Sequence, residues 1–310
     1  MPEPSEKVRV QVGEHELTLT NLSKVLYPQT GFAKGEVIDY YSRIAPVLLP
    51  HLADRPLTVK RYPNGVDGKF FFEKNAARGT PSWVRTVTLP VPGSTRNRET
   101  IDYVVVESLP SLVRLANLAA LELHVPQWRL SQAGRPVTDL IVFDLDPGPP
   151  AGLAECCEVA VLLRDLAQQD GLTLFPKTSG SKGMQLTGPI TVDDHEVPSQ
   201  YALGLAQRLE RARPELIVSR MTKTLRPGKI FVDWSQNNAA KTTVAPYSLR
   251  ARETPTASTP LTWDEVESGH ARQFTSSEVL ERVERLGDLF AGTLADEHRV
   301  TLQAAQATDG

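Results

Sequence analysis

The chain has little cysteine, no long apolar run and no large net charge. Its only cysteines, Cys156 and Cys157, are adjacent, which suits no ordinary disulfide framework. No apolar run approaches the roughly 18 residues that a membrane span needs. The N-terminus also lacks the basic start and apolar stretch of a signal peptide. We therefore expect a soluble, cytoplasmic protein without disulfides, in which both cysteines lie buried on a helix as small hydrophobic residues.

The net charge of −3 argues against a general nucleic-acid binder, for which a basic domain is the usual footprint. Positive charge is nevertheless concentrated in two segments, residues 1–98 with a net +5 and residues 219–252 with a net +6. Each segment is either a solvated charged face or part of a local basic channel on an otherwise acidic protein.

The length of 310 residues fits two domains or one large bilobal unit. Helical periodicity and strand-like alternation follow one another without an internal repeat or a long linker, so we expect a single α/β (α+β) catalytic domain over residues 8–302. Residues 1–7 and 303–310 are expected to be flexible tails. The basic segment 90–98 is expected to be a projecting loop. The predicted helices are Lys34–Leu49, Ser108–Ala120, Gly152–Asp170 and Ser199–Arg213, and a strand is predicted over Leu172–Phe175.

Two aspartates follow an apolar run that ends at a Pro-Gly turn. Asp144 and Asp146 lie two positions apart after Leu140–Phe143 and before Pro147. Strand alternation places both carboxylates on one face, at the end where the proline stops the strand. Such a pair either satisfies loop amides in a turn or holds a divalent cation through hard oxygen ligands.

A third aspartate, Asp233, ends a second short apolar run and lies close to a cluster of Arg and Lys residues. Two strands that deliver carboxylates to one rim, beside cations that could bind phosphate, are typical of a two-metal phosphoryl-transfer site. The sequence therefore predicts that Asp144, Asp146 and Asp233 bind two Mg²⁺ or Mn²⁺ ions.

A loop rich in glycine, hydroxyls and lysine follows the next predicted strand. It runs from Thr178 to Gly183 and contains Ser179 and Lys182. Backbone amides of such a loop can cradle phosphate oxygens while the lysine supplies charge. The loop is not a Walker A motif, and by itself it could equally be an ordinary turn. Its position between the two acidic strands predicts that three strands meet in one sheet.

Several ordered motifs together resemble the polymerase domain of bacterial ATP-dependent DNA ligase D, in the archaeo-eukaryotic primase superfamily. They are Asp144-Leu-Asp-Pro-Gly148, Thr178-Ser-Gly-Ser-Lys-Gly183, Phe231-Val-Asp-Trp-Ser-Gln-Asn237 and Ala245-Pro-Tyr-Ser-Leu-Arg250, with Asn21–Pro28, Lys60–Gly65 and His124–Trp128 in support. The resemblance covers nearly the whole chain. The sequence contains no ligase or phosphoesterase segment, so we expect either a stand-alone homologue or an excised domain.

The resemblance implies a primase-type catalytic core that adds nucleotides, preferably ribonucleotides, to a primer 3′-hydroxyl at gaps and broken ends. It assigns the three aspartates to the metals. Nucleotide contacts are implied for Lys60, His124, Ser179, Lys182, Gln185, Arg226, Gln236 and Arg250. Asn21, Lys24 and Lys34 match a pocket for the 5′-phosphate of a gap, and Phe71 or Phe72 could stack on a template base. An apolar triple such as Phe70–Phe72 is, however, more often core. Implied partners are gapped or broken DNA, NTP or dNTP, the Ku protein and a separate ATP-dependent ligase, with a nucleoid-associated location.

The sequence departs from the family pattern at one position. Family members usually have Lys-Gly-x-His after the Ser/Lys loop, whereas here Gln185 occupies the histidine position. Glutamine can donate a hydrogen bond to phosphate but cannot become cationic near neutral pH. We expect weaker nucleotide binding or slower turnover.

Two alternatives remain open at this stage. A metal-dependent nucleotide-sugar transferase also uses Asp-x-Asp to hold manganese, although the third aspartate and the 5′-phosphate lysines argue against it. The second alternative is a catalytically weak or inactive scaffold that binds gaps or broken ends. The presence of Gln185 in place of histidine makes this alternative tenable.

Overall fold

The computed structural model describes residues 6–90 and 99–303. Residues 1–5, 91–98 and 304–310 lie outside the described residues, and they include most of the predicted projecting loop and of the two predicted tails. None of the described helices is long and apolar enough to cross a membrane.

The described residues form a mixed α/β structure, as predicted. The helices are α1 (Lys34–Leu52), α2 (Leu109–Asn117), α3 (Leu153–Gln169), α4 (Val197–Ala212), α5 (Trp263–Glu267) and α6 (Ser276–Leu286), with 3₁₀ turns at Lys223–Leu225, Trp234–Asn237, Ala291–Leu294 and Asp296–His298. The strands are β1 (Lys7–Val12), β2 (His15–Thr20), β3 (Val25–Tyr27), β4 (Phe32–Ala33), β5 (Pro56–Arg61), β6 (Phe71–Glu73), β7 (Thr86–Pro90), β8 (Thr100–Val105), β9 (Ala120–Val125), β10 (Trp128–Leu130), β11 (Pro136–Thr138), β12 (Leu140–Pro147), β13 (Phe175–Thr178), β14 (Met184–Thr191), β15 (Ile217–Val218), β16 (Ile230–Asp233), β17 (Thr243–Val244), β18 (Thr256–Ala257), β19 (Phe274–Thr275) and β20 (Val300–Thr301).

The chain divides into two compact units. Unit 1 consists of Met1–Val125, Tyr247–Ala257 and Thr275–Arg285, and unit 2 consists of Pro126–Pro246, Ser258–Phe274 and Leu286–Gly310. That both units belong to one catalytic domain over residues 8–302 stays a prediction.

Unit 1 contains an antiparallel sheet in the order β9-β5-β8-β7, with β6 paired to β5. The amphipathic helix predicted from Lys34 is present as α1, and its apolar stripe is buried, including Val37, Tyr40 and Ile44. The Tyr41 hydroxyl donates a 2.6 Å hydrogen bond to the carbonyl of Leu121 on β9. Because buried polar groups need partners, this bond satisfies the Tyr41 hydroxyl and links α1 to the sheet.

Unit 2 contains a sheet in the order β13-β14-β12-β16-β15, with β20 paired in parallel to β14. Cys156 and Cys157 lie buried in α3 as free thiols, which confirms their predicted role as small core residues. The strand predicted over Leu172–Phe175 is wrong in its bounds, because β13 spans Phe175–Thr178. The amide of Leu172 instead donates to the carbonyl of Ala167 and closes the end of α3, so its apolar side chain fills the core without joining the sheet.

Candidate active site

The carboxylates of β12 lie on one face of the strand. Phe143 and Leu145 are fully buried, whereas Asp144 and Asp146 between and beyond them are partly exposed. In the antiparallel pairing of β12 with β16, Asp144 lies directly opposite Asp233. Directly opposed residues have their side chains on the same face of the sheet. The structure therefore brings the three predicted aspartates together, on adjacent strands of one sheet.

The crowding of these acids changes their electrostatics. Burial, the charge of Asp146 and the charge of Asp233 raise the pKa of Asp144 to about 7, although a hydrogen bond from Gln185 opposes the shift. Full ionisation of three carboxylates at such short separations is unfavourable unless a cation binds between them. The electrostatics of the group thus suit a divalent cation.

Asp233 is held by its own neighbours at the start of the turn Trp234–Asn237. Its Oδ1 accepts hydrogen bonds from the amide of Ser235 at 3.0 Å and from the Ser235 hydroxyl at 2.5 Å. Its Oδ2 accepts a 2.7 Å bond from Nε2 of Gln236. Within residues 6–90 and 99–303, no group of three or more His, Cys, Asp or Glu side chains is arranged as a metal site as it stands. The hydrogen bonds hold the Asp233 carboxylate in one orientation, as the partners of metal-binding carboxylates do.

The Ser/Lys loop is closed by Ser179. The Ser179 hydroxyl accepts hydrogen bonds from the amides of Ser181 and Gly183 at 3.3 and 3.2 Å, and its own amide donates to the carbonyl of Gly183. A Cβ at Gly183 would lie 2.2 Å from the carbonyl oxygen of Leu145, so only glycine lets the loop approach the acidic strand this closely. The loop and the carboxylates consequently share one end of the sheet.

Two cations of unit 2 lie beside this strand end. Lys182 is exposed, and its ammonium lies 3.5 Å from the carbonyl oxygen of Pro147, directly after the acidic pair. The Arg226 guanidinium lies 3.8 Å from the ring centre of Phe231, which pairs with Asp146 across the sheet. Buried Nε of Arg226 has no hydrogen-bond partner among the described residues. Both predicted phosphate contacts thus lie at the acidic end of the sheet.

Gln185 has a different setting from the one expected of a phosphate contact. It is only 4% exposed, its Nε2 donates to Oδ1 of Asp144 at 3.1 Å, and its Oε1 accepts from the ammonium of Lys177 at 2.5 Å. Lys177 was not a sequence-based candidate. Lys177 could have been identified as a charged residue within an apolar segment, because a buried charge needs hydrogen-bonding partners.

A second group of predicted nucleotide contacts lies in unit 1, around a residue that the sequence analysis missed. Glu122 on β9 is 2% exposed. Its Oε2 lies 3.0 Å from Nε2 of His124 and 3.4 Å from Nε of Arg250, and its Oε1 lies 3.8 Å from the ammonium of Lys60. The alternation of Glu122 and His124 between buried leucines could have indicated a shared polar face.

Glu122 controls the charges in this cluster. Burial opposes the shift, but the hydrogen bond with His124 and the charges of Arg250 and Lys60 lower the pKa of Glu122 to about 2. Burial lowers the pKa of His124 and of Lys60, and Glu122 counteracts both shifts. The carboxylate therefore stays ionised and keeps three nitrogen groups beside one another.

The phenylalanine triple is not core. Phe70, Phe71 and Phe72 are 50%, 43% and 55% exposed, so all three rings remain open to a ligand. Phe72 pairs with Lys60 across β5 and β6, and the Lys60 ammonium lies 4.0 Å from the ring centre of Phe70. An exposed aromatic group beside a cation is the arrangement on which unstacked bases bind.

The residues predicted for the 5′-phosphate pocket also come together in unit 1. The Asn21 carbonyl accepts a hydrogen bond from the amide of Lys24, and the carbonyl of Lys24 accepts one from the amide of Lys34, the first residue of α1. Exposed Lys24 donates to the side chain of Asn64 at 3.1 Å. Lys34 is 5% exposed, and burial together with repulsion from Lys24 and Arg61 lowers its pKa to about 8. Two lysines at a helix N-terminus form a suitable environment for a phosphate.

Comparisons with known proteins agree with this geometry. A family model described as LigD, primase-polymerase domain, matches residues 33–290. The chain is 48% identical over 294 residues to the multifunctional non-homologous end joining DNA repair protein LigD of Mycobacterium tuberculosis, covering 91% of this chain and 38% of that protein. It is 32% identical over 275 residues to the bifunctional non-homologous end joining protein LigD of Bacillus subtilis, covering 88% of this chain and 43% of that protein. The chain thus spans less than half the length of these curated relatives.

A solved structure, described as the polymerase domain from Mycobacterium tuberculosis ligase D in complex with DNA, matches with a TM-score of 0.85 at 46% sequence identity. The match covers 90% of this chain and 98% of that one. The fold of the chain is therefore similar to that of the polymerase domain in that structure.

Proposed function

The chain belongs to the LigD primase-polymerase domain family, and on that premise we propose that it is a template-dependent nucleotidyltransferase of double-strand break repair. It would extend a primer 3′-hydroxyl, fill gaps and process broken ends, with a preference for ribonucleotides. The observation that carries the proposal is the position of Asp144 opposite Asp233, with Asp146 on the same face, beside the Ser/Lys loop. The family favours this activity over a nucleotide-sugar transferase.

Two Mn²⁺ or Mg²⁺ ions fit the donor set, because carboxylate oxygens are the hard ligands that these ions prefer. Asp144, Asp146 and Asp233 would hold them. When bound, the ions would stabilise the charge that develops on the attacking and leaving oxygens of an in-line phosphoryl transfer. The raised pKa of Asp144 supports this assignment, since burial and the charge of Asp146 disfavour the ionised carboxylate and a bound cation would offset both.

The chain's own residues would bind and orient the nucleotide. Lys182 and Arg226 would neutralise triphosphate oxygens, and Ser179 would keep the loop in the shape that presents Lys182. In unit 1, Lys60 and Arg250 supply the second pair of cations beside His124, with Glu122 as the positioning residue that holds all three. Gln236 would act through its hydrogen bond to Asp233.

DNA binding would use two further groups of unit 1. Asn21, Lys24 and Lys34 would bind the 5′-phosphate on the far side of a gap, and the exposed rings of Phe71 and Phe72 would stack on a template base. Phosphate contacts would make binding salt-dependent through counterion release, without sequence preference. Ku and a separate ATP-dependent ligase are the proposed protein partners, and a cytoplasmic, nucleoid-associated location is proposed.

Gap filling tests the proposal directly. A duplex with a short gap and a 5′-phosphate is incubated with the protein, Mn²⁺ or Mg²⁺, and NTP or dNTP, and primer length is followed on a gel. We expect extension that stops in Asp144→Asn and Asp233→Asn, while the exposed matched control Asp193→Asn retains it. Full extension by Asp144→Asn would refute the mechanism. Tight gap binding without extension under any metal would instead support the scaffold alternative.

A further inference from the structure

A buried lysine lies behind the carboxylates of unit 2. Lys177 on β13 is 2% exposed. Its ammonium donates to Oε1 of Gln185 at 2.5 Å, to the Ser258 hydroxyl at 2.8 Å and to the carbonyl of Val244 at 3.0 Å. An ammonium has three protons and no acceptor, so these partners meet its whole hydrogen-bonding capacity. Its position is therefore rigidly determined.

Lys177 and the acids form one row across the sheet. Lys177 pairs with Gln185, Gln185 pairs with Asp144, and Asp144 pairs with Asp233 on four adjacent strands. Because lysine can only donate, the carbonyl oxygen of the Gln185 amide must face it. The amide nitrogen must then face Asp144, as its 3.1 Å hydrogen bond to Oδ1 shows.

We propose that Lys177 is a positioning residue that sets the polarity of the Gln185 amide, so that residue 185 always presents a donor to Asp144. The inference rests on the proposed metal-dependent function, because its purpose is to hold a metal-binding carboxylate. Partners of this kind orient metal ligands, and their loss typically lowers metal affinity about 10- to 100-fold. In this role Gln185 acts on the Asp144 carboxylate, which fits its burial.

The same row explains which residues suit position 185. A neutral imidazole offers one acceptor and one donor, as an amide does, whereas an imidazolium would turn a donor towards Lys177. Glutamine supplies the same donor and acceptor as a neutral histidine would, and the weaker nucleotide binding or slower turnover expected from the sequence stays a prediction.

Charge and positioning both act at Lys177. A cation near a metal site repels the metal, but the Lys177 charge also favours the ionised form of Asp144 that would bind it. If Lys177 positions the amide, Lys177→Met frees Gln185 to rotate and weakens Mn²⁺ binding. Because Gln185→Leu and Gln185→His both keep the lysine, the contrast between these two variants separates positioning from charge.

The experiment measures Mn²⁺ binding to the full chain without nucleotide or DNA, by titration calorimetry. We expect Lys177→Met and Gln185→Leu each to weaken binding about 10-fold or more. The double variant should be no weaker than the worse single variant, since both changes break one chain of contacts. Gln185→His should stay within about threefold of the parent, because it conserves donor and acceptor. Lys223→Met, which removes an exposed lysine of unit 2, is the matched charge control and should change nothing.

Several results would overturn the inference. These are unchanged or tighter binding in Lys177→Met, additive losses in the double variant, or a Gln185→Leu protein that binds Mn²⁺ normally but has a raised KM for nucleotide. If Lys177→Met does not fold, judged by circular dichroism, the contrast between Gln185→Leu and Gln185→His decides the question alone. A parent chain that extends a gapped primer but does not bind Mn²⁺ by itself would also overturn the inference, whereas a parent chain that neither binds Mn²⁺ nor extends the primer would refute the proposed function itself.

Discussion

Glu122→Gln is the perturbation that tests the cationic cluster of unit 1 most directly. The substitution keeps the shape of the side chain and removes the charge that faces Lys60, His124 and Arg250. Folding lowers the pKa of Glu122 from 4.5 to about 2. At ~1.4 kcal/mol per pKa unit, ionised Glu122 contributes about 3 kcal/mol to the free energy of unfolding at pH 7. We expect the variant to lose most of that amount.

The sign of the pH dependence follows from the lowered pKa. A carboxylate with a lowered pKa in the folded state stabilises the protein above its unfolded pKa, and this contribution is lost as the pH falls through the folded pKa. The difference between parent and variant should therefore shrink from about 3 kcal/mol at pH 7 to about 2 kcal/mol at pH 3.5. Urea denaturation at both pH values measures it, with an unchanged m-value as the condition for comparison.

A surface pair supplies the control. Glu107 faces Arg85, and both side chains are about 40% exposed, so Glu107→Gln should cost no more than ~1 kcal/mol. A loss below ~1 kcal/mol in Glu122→Gln, or a loss that is equal at pH 7 and pH 3.5, would refute the argument that this buried carboxylate holds the cluster together.

Two further predictions concern DNA binding. The pKa of Lys34 is lowered to about 8, and a phosphate monoester loses its second proton near about pH 6. The preference for a 5′-phosphorylated gap should therefore be constant between about pH 7 and pH 8 and fall by up to about tenfold per pH unit above that range. Fluorescence anisotropy with phosphorylated and hydroxyl gaps measures this, and Lys34→Met should weaken the preference and remove its pH dependence above about pH 8. Replacement of Phe71 or Phe72 by Ala should weaken binding of a single-stranded template by roughly 5- to 160-fold, the range expected for loss of one base stack. Equal affinity in both variants would show that neither ring stacks on a base, and replacement of exposed Val137 by Ala is the control.

Much of the fold could be predicted because local patterns determine local structure. The alternation of Leu140–Asp146 predicts a strand with both acids on one face, and the helical stripe from Lys34 predicts α1. The strand was predicted to begin at Leu172 because an apolar run alone does not distinguish a strand from the buried residues that follow the end of a helix. The exposure of Phe70–Phe72 could not be predicted either, since it depends on what packs over β6.

The candidate site was predictable only in part. Asp144 and Asp146 lie near the end of one apolar strand and Asp233 ends another, so the sequence pattern identifies them. Glu122 and Lys177 are equally central to their clusters, but neither lies in a motif. Their partners come from other strands, and only the pairing register shows which side chains they face.

By itself the sequence determined that carboxylates end two strands, that a Ser/Lys loop accompanies them and that Gln185 stands where histidine was expected. Only the tertiary structure decided what surrounds each group. In the tertiary structure the Gln185 amide lies between Lys177 and Asp144 and forms a hydrogen bond with each, and Asp233 accepts a hydrogen bond from Ser235. The physical reason is that strand character follows from the chemistry of neighbouring residues, whereas the contacts of a side chain depend on which distant strand lies beside it.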